Sequence, residues 1–328
     1  MNGPLSDQTF TRRRALGLAG AAAAGAALTR LPAIADGATP SAYAAPAVPT
    51  SPSALPKDRL EAILRTDGTW SNGLLQFEYE RDDLHVTGPH GIPFKPAFEV
   101  NGTFFFQSLG HGRAIMNGDT ALLSHELNPF IDALLAHGLV FQAEHQHYFD
   151  LDPMVWFIHT RAVGDPIDIA RGIHAAIATS ATPLPQHSPA HPTTPLDAKR
   201  IGEIIGGDAT VGAEGTVTVD VPRRERLVLD GVCINPFLNV MTGISFEPLP
   251  GGGSQHAACA PDFGMIASEV DAVCRRMRAN GFEIHCLYNQ ETAEQPQLYF
   301  SHHIATGDAL ELARKVRQGL DLMNVELH

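Results

Sequence analysis

Residues 144–159 read EHQHYFDLDPMVWFIH and set three imidazoles, His145, His147 and His159, around one short acidic turn. Neutral imidazole is a common ligand of zinc and copper, and three nitrogens with an open fourth position suit a catalytic zinc. Side chains alternate along a strand, so His145 and His147 project to one side if the stretch is extended. A turn centred on Asp152 sets His159 opposite His145, because the two are equidistant from it. All three rings then share one face of a hairpin. Ordinary strand histidines, exposed or satisfied by core hydrogen bonds, would show the same spacing. Glu126 and Glu144 are the candidate catalytic bases beside such an ion, and either of them or water is its fourth ligand.

Other chemistries lack their motifs. There is no G-x-S-x-G, no phosphate-binding loop, no G-x-G-x-x-G opening a helix and no H-E-x-x-H. His125-Glu126 has no second histidine four residues on, and Gly251-Gly252-Gly253 runs into Ser-Gln, which reads as a flexible turn. The chain of 328 residues has a formal net charge of −13 and no Lys/Arg stripe, so nucleic acid is excluded as a partner.

An internal repeat organises the elements that must position the histidines. At an offset of 143 the chain matches itself without gaps: Asp119 meets Asp262, Glu126 meets Glu269, and Gly138 meets Gly281. Pro153 then meets Pro296, His159 meets His302, and Asp165 meets Asp308. His145 and His147 meet Tyr288 and Gln290. Residues common to both copies are those the unit needs to fold, so Asp119, Glu126, Asp165 and Gly138 read as structural helix-start acids and turn glycines. The imidazoles of 145 and 147 read as local function in the first copy. The second copy is then a structural partner with no ligand convergence of its own.

Each unit reads as a short leading helix (60–64, 201–205), two strands around a Gly-His-Gly turn (104–119), and an amphipathic helix over 124–138 stopped by Gly138. A hairpin (139–149 and 153–161) and a helix begun by Asp165 follow. The expected class is α+β: two tandem pseudo-symmetric units, each an antiparallel sheet with helices on one face. Pro/Ala/Ser-rich runs divide the chain into a tether (36–56), a first unit (57–185), a linker (186–195) and a second unit (196–328).

GDTALLSHELNPFIDALLAHGLVFQAEHQHYF (118–149), with the Pro-led strand ending at His159 and Gly164-Asp165-Pro166-x-x-x-Ala170, resembles the LppY/LpqO family of exported bacterial proteins. The likeness runs through nearly all of 57–325. It implies a duplicated domain of unknown function, with E-x-N-P on the helix and H-N-H on the strand, in members sometimes labelled peptidoglycan-binding. The first copy carries Glu126-Leu127-Asn128-Pro129 and His145-Gln146-His147; the second departs, with Glu269-Val270-Asp271-Ala272 and Tyr288-Asn289-Gln290.

The N-terminus points to the compartment. Thr11-Arg12-Arg13-Arg14-Ala15-Leu16 reads as a twin-arginine signal, followed by an Ala/Gly-rich run too short to span a bilayer and Ala33-Ile34-Ala35 as a cleavage site. The expectation is an exported protein, free in the periplasm or secreted, with residues 1–35 removed. It holds one divalent transition metal, zinc ahead of copper; whether it is an enzyme stays open, the enzymatic version being a metal-dependent hydrolase. The rival is a non-catalytic module binding a cell-wall glycan or peptide through aromatics around Tyr148 and Trp156. All four cysteines (Cys233, Cys259, Cys274, Cys286) fall in the second copy, and export favours at least one disulfide, involving Cys286.

Replacing Arg12, Arg13 and Arg14 by Lys should hold an unprocessed precursor in the cytoplasm. Fractionation with immunoblotting checks this, and undiminished export would overturn the signal assignment.

Overall fold

The computed structural model describes residues 55–188 and 192–328. The signal, nearly all of the tether and three linker residues lie outside the described residues. No helix among the described residues is long and apolar enough to cross a membrane.

Two six-stranded antiparallel sheets form the molecule, one from each copy. In the first the strands lie in the order Gly68–Ser71, Leu74–Glu80, Asn101–Gly110, Arg113–Leu123, Val155–Gly164, Val140–His145. In the second the equivalent order is Ala209–Val211, Val217–Val221, Thr242–Pro248, His256–Ile266, Leu298–Asp308, Glu283–Ile284. The α+β reading with two like units holds. The leading two-stranded hairpin of the first unit was not anticipated, although Asn72-Gly73, with φ of 50° and 79°, is a good signal for a tight hairpin turn.

Strand alternation decides what each face touches. Along Arg113–Leu123, Ala114, Met116 and Leu122 join Phe130, Leu134, Ile169 and Ile173 of the helices Leu127–Ala136 and Pro166–Ile177 in one core. The second copy builds its own helix-side core from Ala257, Cys259, Phe263 and Met265 against Met277, Leu312 and Val316. The opposite faces meet each other. Ala121 and Phe157 pack with Ala258, Ala260 and Ile304, while Phe105 and Ile115 pack with Leu298 and Phe300. The layers run helices, sheet, sheet, helices, and two sheet faces are buried against one another.

The acids at the helix starts behave alike in both copies. Asp165 accepts from the backbone N–H of Ile167 at 2.7 Å, and Asp308 from Leu310 at 3.0 Å. Arg81, 1% exposed, donates to Glu126 at 2.8 and 3.2 Å, and Glu126 also accepts from the backbone N–H groups of Leu123 and Ala181. Arg223 and Glu269 repeat the pattern at 2.8 and 3.0 Å, with Ile266 and Asn324 as the backbone donors. Burial pushes the Glu126 carboxyl up, but the bonds from Arg81, Leu123 and Ala181 outweigh it and leave the pKa lowered.

The expected disulfide does not form: all four cysteines are free. They sit on separate elements with other partners. Cys259 faces the helix-side core, Cys274 lies on the helix Ala267–Ala279, the Arg226 Nε–H approaches Cys233, and the Cys286 sulfur lies 3.2 Å from His302 Nδ1.

Four thiols per chain should therefore react with a thiol reagent under denaturing, non-reducing conditions; two or fewer would restore the bridge. Glu126→Ala removes one of the two carboxylates on the buried Arg81, leaving Asp83, and should cost about 1–3 kcal/mol at neutral pH, read from a denaturant melt. Because the folded pKa of Glu126 is lowered, its contribution is complete above the ordinary carboxylate range, about 4.3, and fades as pH falls through the folded value. The gap between wild type and variant should narrow in acid.

Candidate metal centre

The buried sheet faces carry a polar layer. Asp119 pairs across strands with His159, and Asp262 pairs with His302 in the equivalent register. The His159 Nε2 lies 4.0 Å from the Asp119 carboxylate, and the His302 Nε2 lies 3.7 Å from that of Asp262. Glu99, at the end of the short helix Pro96–Glu99, approaches the His147 Nδ1 at 3.7 Å.

The hairpin brings its histidines together in a different register from the one expected. His145 pairs with Phe157, and His159 faces Ala143, because the strand Val140–His145 carries an irregularity between Phe141 and Ala143. The connection is also not a tight turn: it runs through 146–154, where Thr87 and Asp152 form a bridge. A shift of two residues preserves the face, so His145 still joins His159, with ring centres 5.0 Å apart. His147 lies just past the strand end, its ring 4.9 Å from that of His145 and stacked on Phe157 at 3.4 Å.

Contrary to expectation, the second copy joins the cluster. His302 stacks on His147 at 3.7 Å, and Tyr288 stacks on His145, its own counterpart, at 3.6 Å. Contact between counterpart residues puts the cluster where the two copies meet. Two sets of ligand atoms lie within 4.8 Å of one another: His145, His147 and His302, and Asp119, His147 and His159. These are candidate metal-ligand groups of the described residues.

Both ring nitrogens of His145, His147 and His159 are buried without a hydrogen-bond partner, as is one Asp262 oxygen. An unpaired buried polar atom costs about 1–3 kcal/mol, so six on three adjacent rings demand an explanation. Protonation is not one. Burial pushes His159 down to about 3, and burial together with neighbouring histidines holds His145, His147 and His302 well below the ordinary imidazole range. The acids are pushed the other way: Asp119 to about 7 by burial, Asp262 to about 8 by burial and the charge of Asp119, and Glu99 well upward by burial and Asp262. Asp119 and Asp262 keep 17 and 24% of their side-chain surface exposed. Neutral imidazoles beside carboxylates fit a bound cation, which favours every deprotonated form at once.

The two candidate bases are elsewhere. Glu126 is 3% exposed and held by Arg81 and two backbone donors, a structural acid with no free oxygen for proton transfer. Glu144 is exposed, and alternation turns it away from the face of its neighbour His145. Asp119 had been assigned to folding because both copies keep it, yet it sits among the rings. Asp262, His302 and Glu99 were also missed. The available signal was the Asp-to-His spacing, repeated identically at 119/159 and 262/302; nothing in the sequence singles out Glu99. Of the two aromatics considered for a cell-wall surface, Tyr148 is 1% exposed, while Trp156 is half-buried and its Nε1–H donates to Ser124.

Fold and cluster define a duplicated α+β protein with a cation-type donor set between its copies. The family model described as Domain of Unknown Function (DUF1259) matches residues 58–179 and again 199–322, and the chain belongs to that family. No curated protein matches it. Among solved structures, a trimeric bacterial microcompartment shell protein, PduB, aligns over 77% of this chain and 87% of that one at 10% identity and a TM-score of 0.20, too low to carry an argument.

Proposed function

We propose that this protein is an exported metalloprotein of the cell envelope that holds a divalent transition metal between its two copies. The observation that carries the reading is the set of unpartnered ring nitrogens of His145, His147 and His159 beside Asp119. A mixed imidazole and carboxylate set favours zinc over copper. Export rests on the run Arg12-Arg13-Arg14, and the likeness to the LppY/LpqO family supports the same compartment. A bound ion of this kind makes water acidic enough to attack at neutral pH, which suits hydrolysis. Glu99, Asp119 and Asp262, rather than Glu126 or Glu144, are the carboxylates at hand for base work.

One observation favours the rival reading of a glycan or peptide module. Phe149 is 52% exposed and lines an open cleft of about 400 Å³ with Arg278, Glu283, Ile284 and His285. Stripped of metal, the protein would still pull down with isolated cell wall if that reading held.

The test is elemental analysis of wild type, of the His145→Tyr/His147→Gln double variant and of His302→Ala. The double variant installs the residues of the second copy, so its thermal midpoint should stay within about 4 °C of metal-stripped wild type. Its metal content should fall at least tenfold, with a clear loss in His302→Ala as well. Equal content in all three would overturn the site.

A further inference from the structure

Resting on that reading, we infer that the centre takes two divalent cations rather than one: the Asp119–His159 pair of the first copy and the Asp262–His302 pair of the second each begin a coordination set, with His145, His147 and Glu99 between them.

The first argument is the number of donors. Four imidazoles (His145, His147, His159, His302) and three carboxylates (Glu99, Asp119, Asp262) occupy one layer between the sheets. A tetrahedral zinc takes four ligands, so one ion leaves several of these groups without a partner. They do not satisfy one another. The three acid–imidazole separations are 3.7, 4.0 and 3.7 Å, beyond hydrogen-bond length but ordinary for two ligands of one ion. His147 and His159 are 6 and 2% exposed, and their nitrogens have no other partner.

The second argument is charge. No Lys or Arg forms an ion pair with Glu99, Asp119 or Asp262 among the described residues; their only ion-pair neighbours are the histidines. The layer thus sets three carboxylates beside imidazoles with no cationic side chain against them. Buried charge must be compensated.

The third argument is symmetry. Each copy contributes an aspartate and a histidine in the same cross-strand register, so whatever the first pair begins to bind, the second also begins to bind. The copies differ in what completes the sets, since Tyr288 and Gln290 replace His145 and His147. The two candidate sets share His147, so both candidate positions lie around that one ring. Two ions held in one site can supply a water nucleophile and neutralise charge on the scissile group in phosphoester and amide hydrolysis. The substrate class this favours is a phosphoester or peptide bond rather than a glycosidic bond, which two carboxylates alone can break.

The experiment loads the metal-stripped chain with Zn²⁺, removes excess by gel filtration and counts ions per chain. Wild type should hold two. Glu99→Gln/Asp262→Asn should hold one, with far-ultraviolet circular dichroism unchanged. Mn²⁺-loaded wild type gives a check that needs no variant: adjacent ions produce an exchange-coupled paramagnetic spectrum in place of the six lines of an isolated ion. A single ion per chain in wild type, or two ions without coupling, would overturn the paired centre while leaving the metalloprotein reading in place. No retained metal at all would overturn both.

Discussion

The structure depends on burying the second face of each sheet. A six-stranded antiparallel sheet with helices on one side normally leaves its other side to water. Here that side meets its equivalent from the other copy, so every residue on both inner faces must be apolar, hydrogen-bonded or charge-compensated. Phe105, Ile115, Leu298 and Phe300 meet the demand by packing. Asn117 meets it by donating to Leu238 and Glu291. The histidine and aspartate layer has no such partners and is the donor set of a candidate cation site.

The contrast with the Arg–Glu pairs makes the point. Arg81–Glu126 and Arg223–Glu269 are equally buried, yet each carboxylate is saturated by a guanidinium and two backbone donors. Both copies show that arrangement almost atom for atom, each arginine also holding a second carboxylate, Asp83 or Glu225. Positions 145 and 147 were under a different constraint. Their counterparts became Tyr288 and Gln290, which satisfy themselves: the Tyr288 hydroxyl donates to Gln290, whose amide donates to the Asn239 carbonyl. At these two positions one copy carries metal-type donors and the other a pair that satisfies itself.

That division explains why the site is neither in one copy nor symmetric. His302 stacks on His147, and Tyr288 covers His145. The second copy thus supplies a candidate ligand, His302, and a ring, Tyr288, that covers His145. Cys286, in contact with the far nitrogen of His302, fixes that ring from behind.

The sequence by itself determined the duplication, the α+β class, the capping acids Asp165 and Asp308, and the presence of His145, His147 and His159 on one face. Each follows from local periodicity or from a match of the chain with itself, and needs no knowledge of what lies opposite. Tertiary structure decided the rest. Whether Asp119 serves folding or chemistry depends on which face of Arg113–Leu123 is covered by the other copy. Whether Glu126 is a base depends on Arg81, 45 positions away in the chain. Equal recurrence in both copies marked Asp119 and Glu126 alike, and only packing separated a carboxylate saturated by donors from one left facing bare imidazoles. Glu99 and His302 enter the cluster from distant elements because two sheets stack face to face, and such contacts leave no period in the chain.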